Sequence, residues 1–112
     1  MTEVILLDNF KHDVKRLMKK YQSLRDELEQ FIEITENKGV QGTPIGGCLF
    51  KARLAVKSKG KGKSGGMRII SYQDIIVATK DSTVYLVSMY DKNEASTVEI
   101  RQINHILKNF GL

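Results

Sequence analysis

Apolar residues return along this chain at more than one spacing, and each spacing predicts its own kind of element. Val4 to Leu7 is a short apolar run and reads as a first strand. Asp8 and Asn9 suit a helix N-cap, and after them Phe10, Val14, Leu17, Met18 and Tyr21 recur at helical intervals, with Lys11, Lys15, Arg16, Lys19 and Lys20 on the other side. A second helix is expected from Ser23, with Asp26 three residues on as a weaker form of capping box. Leu24, Leu28, Phe31 and Ile32 form its apolar stripe, Glu27, Glu29, Glu33 and Glu36 its solvated face, and Asn37-Lys38-Gly39 its stop. A basic helix followed by an acidic one suggests an antiparallel helical hairpin with solvated charged faces.

Residues 39–47 hold four glycines and the single proline, Pro44, and read as a loop. From Cys48 to Lys57 the period changes to two. Cys48, Phe50, Ala52, Leu54 and Val56 are all apolar, while the charges fall on Lys51, Arg53 and Lys57 between them. Such alternation sets those three cations side by side on a strand face turned away from the core, and no acid shares that face. Ser58–Gly66 is a basic loop, mobile by composition. Met67–Tyr72 reads as a second strand opening with Arg68 and continuing towards Ile75-Ile76-Val77-Ala78. Lys80-Asp81-Ser82 is a turn, Thr83–Tyr90 a third strand rich in β-formers, and Asp91-Lys92-Asn93-Glu94 the exit loop. A last helix is expected from Ser96, with Glu99 completing a capping box, Ile100, Ile103, Leu107 and Phe110 as its apolar face, and Gly111 at its end. The order βααβββα predicts an α+β fold: a twisted, mostly antiparallel sheet with an N-terminal helical hairpin, in one domain spanning residues 1–112.

Composition narrows the class. The chain is 41% hydrophobic and 28% charged, as globular domains are. No apolar run approaches the roughly 18–20 residues of a membrane span, so no membrane partner is expected. The first residues lack the basic and long apolar regions of a signal peptide. Cys48 has no second cysteine to pair with, which points to a reducing cytoplasm and to a small core residue. With only His12 and His105 beside it, no structural zinc site is expected, and neither histidine sits in a pattern that marks a catalytic base.

Charge changes the picture more. Residues 1–50 and residues 69–112 each carry a net charge of −1, whereas residues 51–68 hold Lys51, Arg53, Lys57, Lys59, Lys61, Lys63 and Arg68 without an acid, a balance of +7. A near-neutral body with one cationic segment is the electrostatic footprint of a phosphate-backbone partner. Gly62-Lys63-Ser64 invites a P-loop reading, but Walker A needs a glycine where Lys57 stands, and antiparallel strands provide no strand–loop–helix crossover. There is no carboxylate pair, no Ser/His/Asp arrangement and no metal-ligand spacing. What remains is a group of cations on a rigid sheet face. It can bind RNA phosphates and stabilise the charge that develops when a ribose 2′-OH attacks the adjacent phosphate. A lysine among other cations can also move a proton. Composition alone favours the plainer reading, electrostatic binding of nucleic acid without catalysis.

The order of elements, with L-F-K-A-R-L, then G-K-G-K-S-G-G-M-R-I-I-S-Y, then V-Y-L-V-S-M-Y-D-K-N-E, closely resembles the RelE/ParE superfamily of bacterial toxins, and within it the HigB/RelE-type branch. The resemblance covers nearly the whole chain. It implies a small toxin of a type II toxin–antitoxin pair that enters the ribosomal A site and cuts mRNA without a metal or other cofactor, held inactive by a cognate antitoxin. Operator DNA would then be reached only through the antitoxin. By the same resemblance, Lys51 and Arg53 match two basic strand positions that bind mRNA and assist proton transfer, Arg68 the arginine that stabilises the scissile phosphate, and Lys92 a basic position that holds the backbone. RelE has a base-stacking tyrosine at the start of its last helix where this chain has Val98, and Tyr90, at the end of the third strand, reads either as its substitute or as an ordinary sheet tyrosine. Met67 stands where an aromatic commonly precedes the arginine. Lys57, Lys59, Lys61 and Lys63 are expected to make sequence-independent contacts to rRNA or mRNA phosphates. Two alternatives stay open: a ParE-like poison of DNA gyrase, and a non-catalytic RNA-binding domain.

Overall fold

A computed structural model describes residues 2–59, 66–76, 78–92, 94 and 100–112. Among these residues the elements are β1 (Thr2–Leu6), α1 (Asp8–Met18), α2 (Leu24–Lys38), β2 (Thr43–Gly46), β3 (Leu49–Leu54), β4 (Met67–Ile76), β5 (Asp81–Asp91) and α3 (Ile100–Asn109). The strands form one sheet in the order β1-β5-β4-β3-β2. The fold is α+β as expected, and the sheet is antiparallel except where β1 runs parallel to β5.

The sheet is covered on both faces, which the hydrophobic pattern did not require. Phe10, Val14 and Leu17 of α1 and Leu24, Leu28 and Phe31 of α2 pack against Ala52, Met67, Ile69, Val84, Leu86 and Met89 on one face. Ile103 and Leu107 of α3 pack on the other, against Leu49, Ile70, Val87 and Tyr90, with Leu7 at the margin. Each Leu, Ile, Val, Met or Phe side chain among them taken out of water contributes roughly 1.5–3 kcal/mol. The period-two reading of β3 therefore holds from Lys51 to Leu54 but not at its start. Leu49, expected outward, is buried beneath α3, and Cys48, expected in the core, is exposed.

Other boundaries differ for identifiable reasons. β3 ends at Leu54, and Lys57–Lys59 form a 3-10 turn, so Lys57 is not part of the strand face. The glycine-rich 39–47 stretch contains β2, an edge strand that tolerates Pro44 because its outer side needs no partner. Gly42 allows β2 to lie close: it has φ +101°, and a Cβ there would fall 2.4 Å from the Lys51 carbonyl oxygen. The expected capping box at Ser23 and Asp26 does not form. The Ser23 hydroxyl instead donates to Glu27 (2.9 Å) and accepts the Ser58 amide (3.0 Å). The expected start of the last helix at Ser96 lies outside the described residues.

Beyond β1, the free edge of β5 is satisfied by α1. Leu7 N–H donates to the Leu86 carbonyl (3.1 Å), the Asn9 amide to the Val87 carbonyl (2.9 Å), and Asp13 accepts from the Met89 amide (3.0 Å) and the Ser88 hydroxyl (3.2 Å). These bonds hold the far end of β5 where the cationic residues gather.

Candidate nucleic-acid interface

β3, β4 and β5 bring the expected site residues together by register. Arg53 pairs with Arg68, and Arg68 with Tyr90, forming a row across three strands. The next row is Lys51, Ile70 and Ser88. Alternation along β3 and β4 puts Lys51, Arg53 and Arg68 on the face that α3 partly covers. Tyr90 joins them through a β-bulge. Ile70 pairs with Ser88 but Ser71 with Leu86, so Val87 is the extra residue on β5. Without it, Tyr90 would share the face of Leu86 and point at α1. A bulge that re-aims one side chain beside a site is a recurrent device.

The side chains on this row are not equally accessible. Arg53 is exposed and Lys51 half-buried, whereas Arg68 is 6% exposed and Tyr90 7% exposed. One guanidinium nitrogen of Arg68 donates to the carbonyl of Met67 (3.3 Å). Burial pushes the Tyr90 phenol above its ordinary value of 10.0, and the nearby Arg68 charge opposes that shift. Its hydroxyl is buried without a hydrogen-bond partner among the described residues. Tyr90 was expected to stack on a base. Its ring is instead packed among Ile70, Val87, Ile103 and Leu107, so no open ring face is on offer, and the hydroxyl beside Arg68 is its chemically notable part.

Lys92 follows β5 on an exposed turn, and its N–H donates to the Gly66 carbonyl (3.4 Å). Lys57 is exposed, with its amide donating to Glu27 Oε2 (2.7 Å). A groove of about 1010 Å³ between α2 and the β2–β3 edge has Lys51, Arg53 and Lys57 in its walls, beside Gln30, Phe31 and Ile34. Lys61, Lys63 and Val98 lie outside the described residues.

Lys59 is placed differently from its expected role. Its ammonium pairs with the Asp91 carboxylate, the two side chains being 4% and 2% exposed, and it lies 5.5 Å over the Tyr21 ring. Tyr21 donates its hydroxyl to the other Asp91 oxygen (2.7 Å), and that hydrogen bond, more than burial, raises the Tyr21 phenol above 10.0. The Lys59 ammonium is thus buried and engaged, unlike the exposed side chain of Lys57. Asp91 and Tyr21 escaped sequence reasoning. Asp91 stood in an exit loop and Tyr21 at the end of a helix stripe, with nothing in their spacing to link positions 70 residues apart. The one available signal was an acid directly beside Tyr90 and Lys92.

No helix among the described residues is long and apolar enough to cross a membrane. The family model for the RelE toxin of the RelE/RelB toxin–antitoxin system matches residues 9–110, from the first turn of α1 to just past α3. That match spans β3, β4 and β5 and hence the Arg53–Arg68–Tyr90 row, and the chain accordingly belongs to the RelE toxin family, as the toxin of a toxin–antitoxin system.

Proposed function

We propose that this toxin is an endoribonuclease that cuts mRNA on the translating ribosome, with a cognate antitoxin as its inhibitor. The observation that carries the reading is the direct opposition of Arg53 and Arg68 across β3 and β4, with Lys51 one row away. Like charges on directly opposite positions of an antiparallel pair disfavour folding, and a site for a polyanion is a physical reason to keep them.

The mechanism follows from placement. Arg53 and Lys51, on the sheet face of Arg68, and Lys57 on the turn after β3 hold successive phosphates of an extended RNA strand. Arg68 stabilises the charge that accumulates on the scissile phosphate when the neighbouring 2′-OH attacks, and the Tyr90 hydroxyl, which has no hydrogen-bond partner among the described residues, hydrogen-bonds the same group. Lys51, near the row, serves in proton transfer. Because Arg68 and Tyr90 are nearly buried, RNA docking and exposure of this end of the sheet are coupled. Lys92 lies close enough in sequence to the row to hold the backbone leaving the site, and Lys61 and Lys63 add sequence-independent affinity for rRNA or mRNA.

The test is Arg68→Ala in the full chain. Growth inhibition should be lost and cutting should fall by about 10²–10³-fold, the effect of removing one donor to a developing oxyanion. Circular dichroism and binding to the antitoxin should be retained. Toxicity that persists in the folded variant would remove Arg68 from the chemistry.

A further inference from the structure

Resting on the endoribonuclease reading, we infer that Lys59 and Asp91 are positioning residues, a buried latch that fixes Lys59 and Gly66, the residues flanking the basic 60–65 segment, at the exit of β5 near Arg68, rather than contacts to RNA. The observations converge on one dipeptide. Lys59, immediately before the segment, is tied to Asp91 through its ammonium. At the other end, the Gly66 carbonyl accepts the Lys92 N–H (3.4 Å), and Met67 is the register partner of Asp91. Gly66 itself is pressed against β3, since a Cβ there would fall 2.1 Å from the Leu54 carbonyl oxygen. Residues 59 and 66 are therefore both fastened at the exit of β5, one residue from Tyr90 and two strands from Arg53.

The turn that carries Lys59 is itself docked. The Lys57 amide donates to Glu27 (2.7 Å) and the Ser58 amide to the Ser23 hydroxyl (3.0 Å), both on the first turn of α2 or its cap. On the opposite side, Asp91 accepts the Tyr21 hydroxyl (2.7 Å), while its amide donates to Glu94 (3.3 Å), which in turn pairs with Arg16 of α1 (2.7 Å). A charge pair taken out of water is weak evidence for stability, because desolvation offsets much of the attraction. What it does provide is one fixed arrangement of the ammonium, the carboxylate and the Tyr21 phenol. A catalytic guanidinium needs that kind of support from residues that do not touch the substrate.

The decisive variant is Lys59→Met/Asp91→Asn. It removes both charges together and keeps an acceptor for the Tyr21 hydroxyl. Three readouts are taken on the full chain. Single-turnover cutting of mRNA on translating ribosomes should fall at least tenfold, while affinity for a short single-stranded RNA stays within about twofold of wild type. The slope of log affinity against log salt should be unchanged, whereas loss of a phosphate contact to single-stranded RNA would shrink it by about 0.7. Exchange of the Lys92 amide hydrogen should quicken about tenfold as its Gly66 partner loosens. A folded variant that cuts at the wild-type rate, or one whose salt slope shrinks, overturns the latch. If the wild-type protein cuts no RNA, the endoribonuclease reading falls, and amide exchange then decides the latch alone: unchanged exchange refutes it.

Discussion

Arg53 and Arg68 show what a single register position can do. Each belongs to a strand whose other residues are chosen for packing, yet the pairing sets two guanidinium groups on neighbouring strands of one sheet face. Asp13 makes the opposite trade. Burial, the largest influence, raises its carboxyl above 3.8, and the hydrogen bonds from Met89 and Ser88 only partly offset this. A carboxyl whose folded-state value is raised weakens the fold wherever it is ionised. That penalty is absent below 3.8 and complete once pH exceeds the folded value. Asp13→Asn keeps an acceptor for the Met89 amide and removes the penalty. The variant should be at least as stable as wild type to urea near neutral pH and should gain nothing well below pH 3.8; a loss of stability at neutral pH would show that the charge is needed. At this scale the sequence was legible where charge and period agreed, as at Lys51 and Arg53. It was silent at Lys59, because composition describes a lysine-rich run and cannot show which ammonium finds a buried carboxylate. It misled at Tyr90, where a tyrosine at a strand end can present either its ring or its hydroxyl.

Among the elements, α3 has the most bearing on the site. Its Ile103 and Leu107, 1% and 4% exposed, close the apolar cluster that holds Tyr90 beside Arg68. Ile103→Ala should lower stability by about 2–5 kcal/mol, as buried Ile-to-Ala substitutions do. It should also reduce the tyrosine near-ultraviolet dichroism. A variant with unchanged unfolding midpoint and spectrum would mean that α3 does not hold this face together. The helices were readable because their stripes are long and regular, and α3 was expected with Ile103 and Leu107 on its apolar face. The two-sided sheet was not readable. Cys48, Phe50, Ala52, Leu54 and Val56 alternate so cleanly that one buried face seemed sufficient, with only Leu49 and Ala55 out of step. β2 was hidden by Pro44 and its glycines, which signal loops more often than edge strands. The Val87 bulge was hidden because an inserted residue leaves local composition unchanged while reversing the face of all that follows.

At the level of the molecule, a body balanced in charge carries Lys51, Arg53 and Arg68 on one face of the sheet, at the end where β5 exits. The helices of both faces serve to hold that end in one shape, and the Asp91 network joins α1, the α2 cap and the Lys57–Lys59 turn. The family likeness was legible from three motifs in order, and the match over residues 9–110 bears it out. The sequence motifs could not say how the cations divide into those presented to a groove, those nearly buried and one withdrawn into a latch. Cleavage itself is the central claim, and mapping the 5′ ends of a translated mRNA tests it most directly, with and without ribosomes, for the wild-type chain and Arg68→Ala. The account predicts new 5′ ends only with the wild-type chain, only when ribosomes are translating, and in register with the reading frame. Intact messages in cells that nevertheless stop growing, above all with damaged DNA, would contradict it.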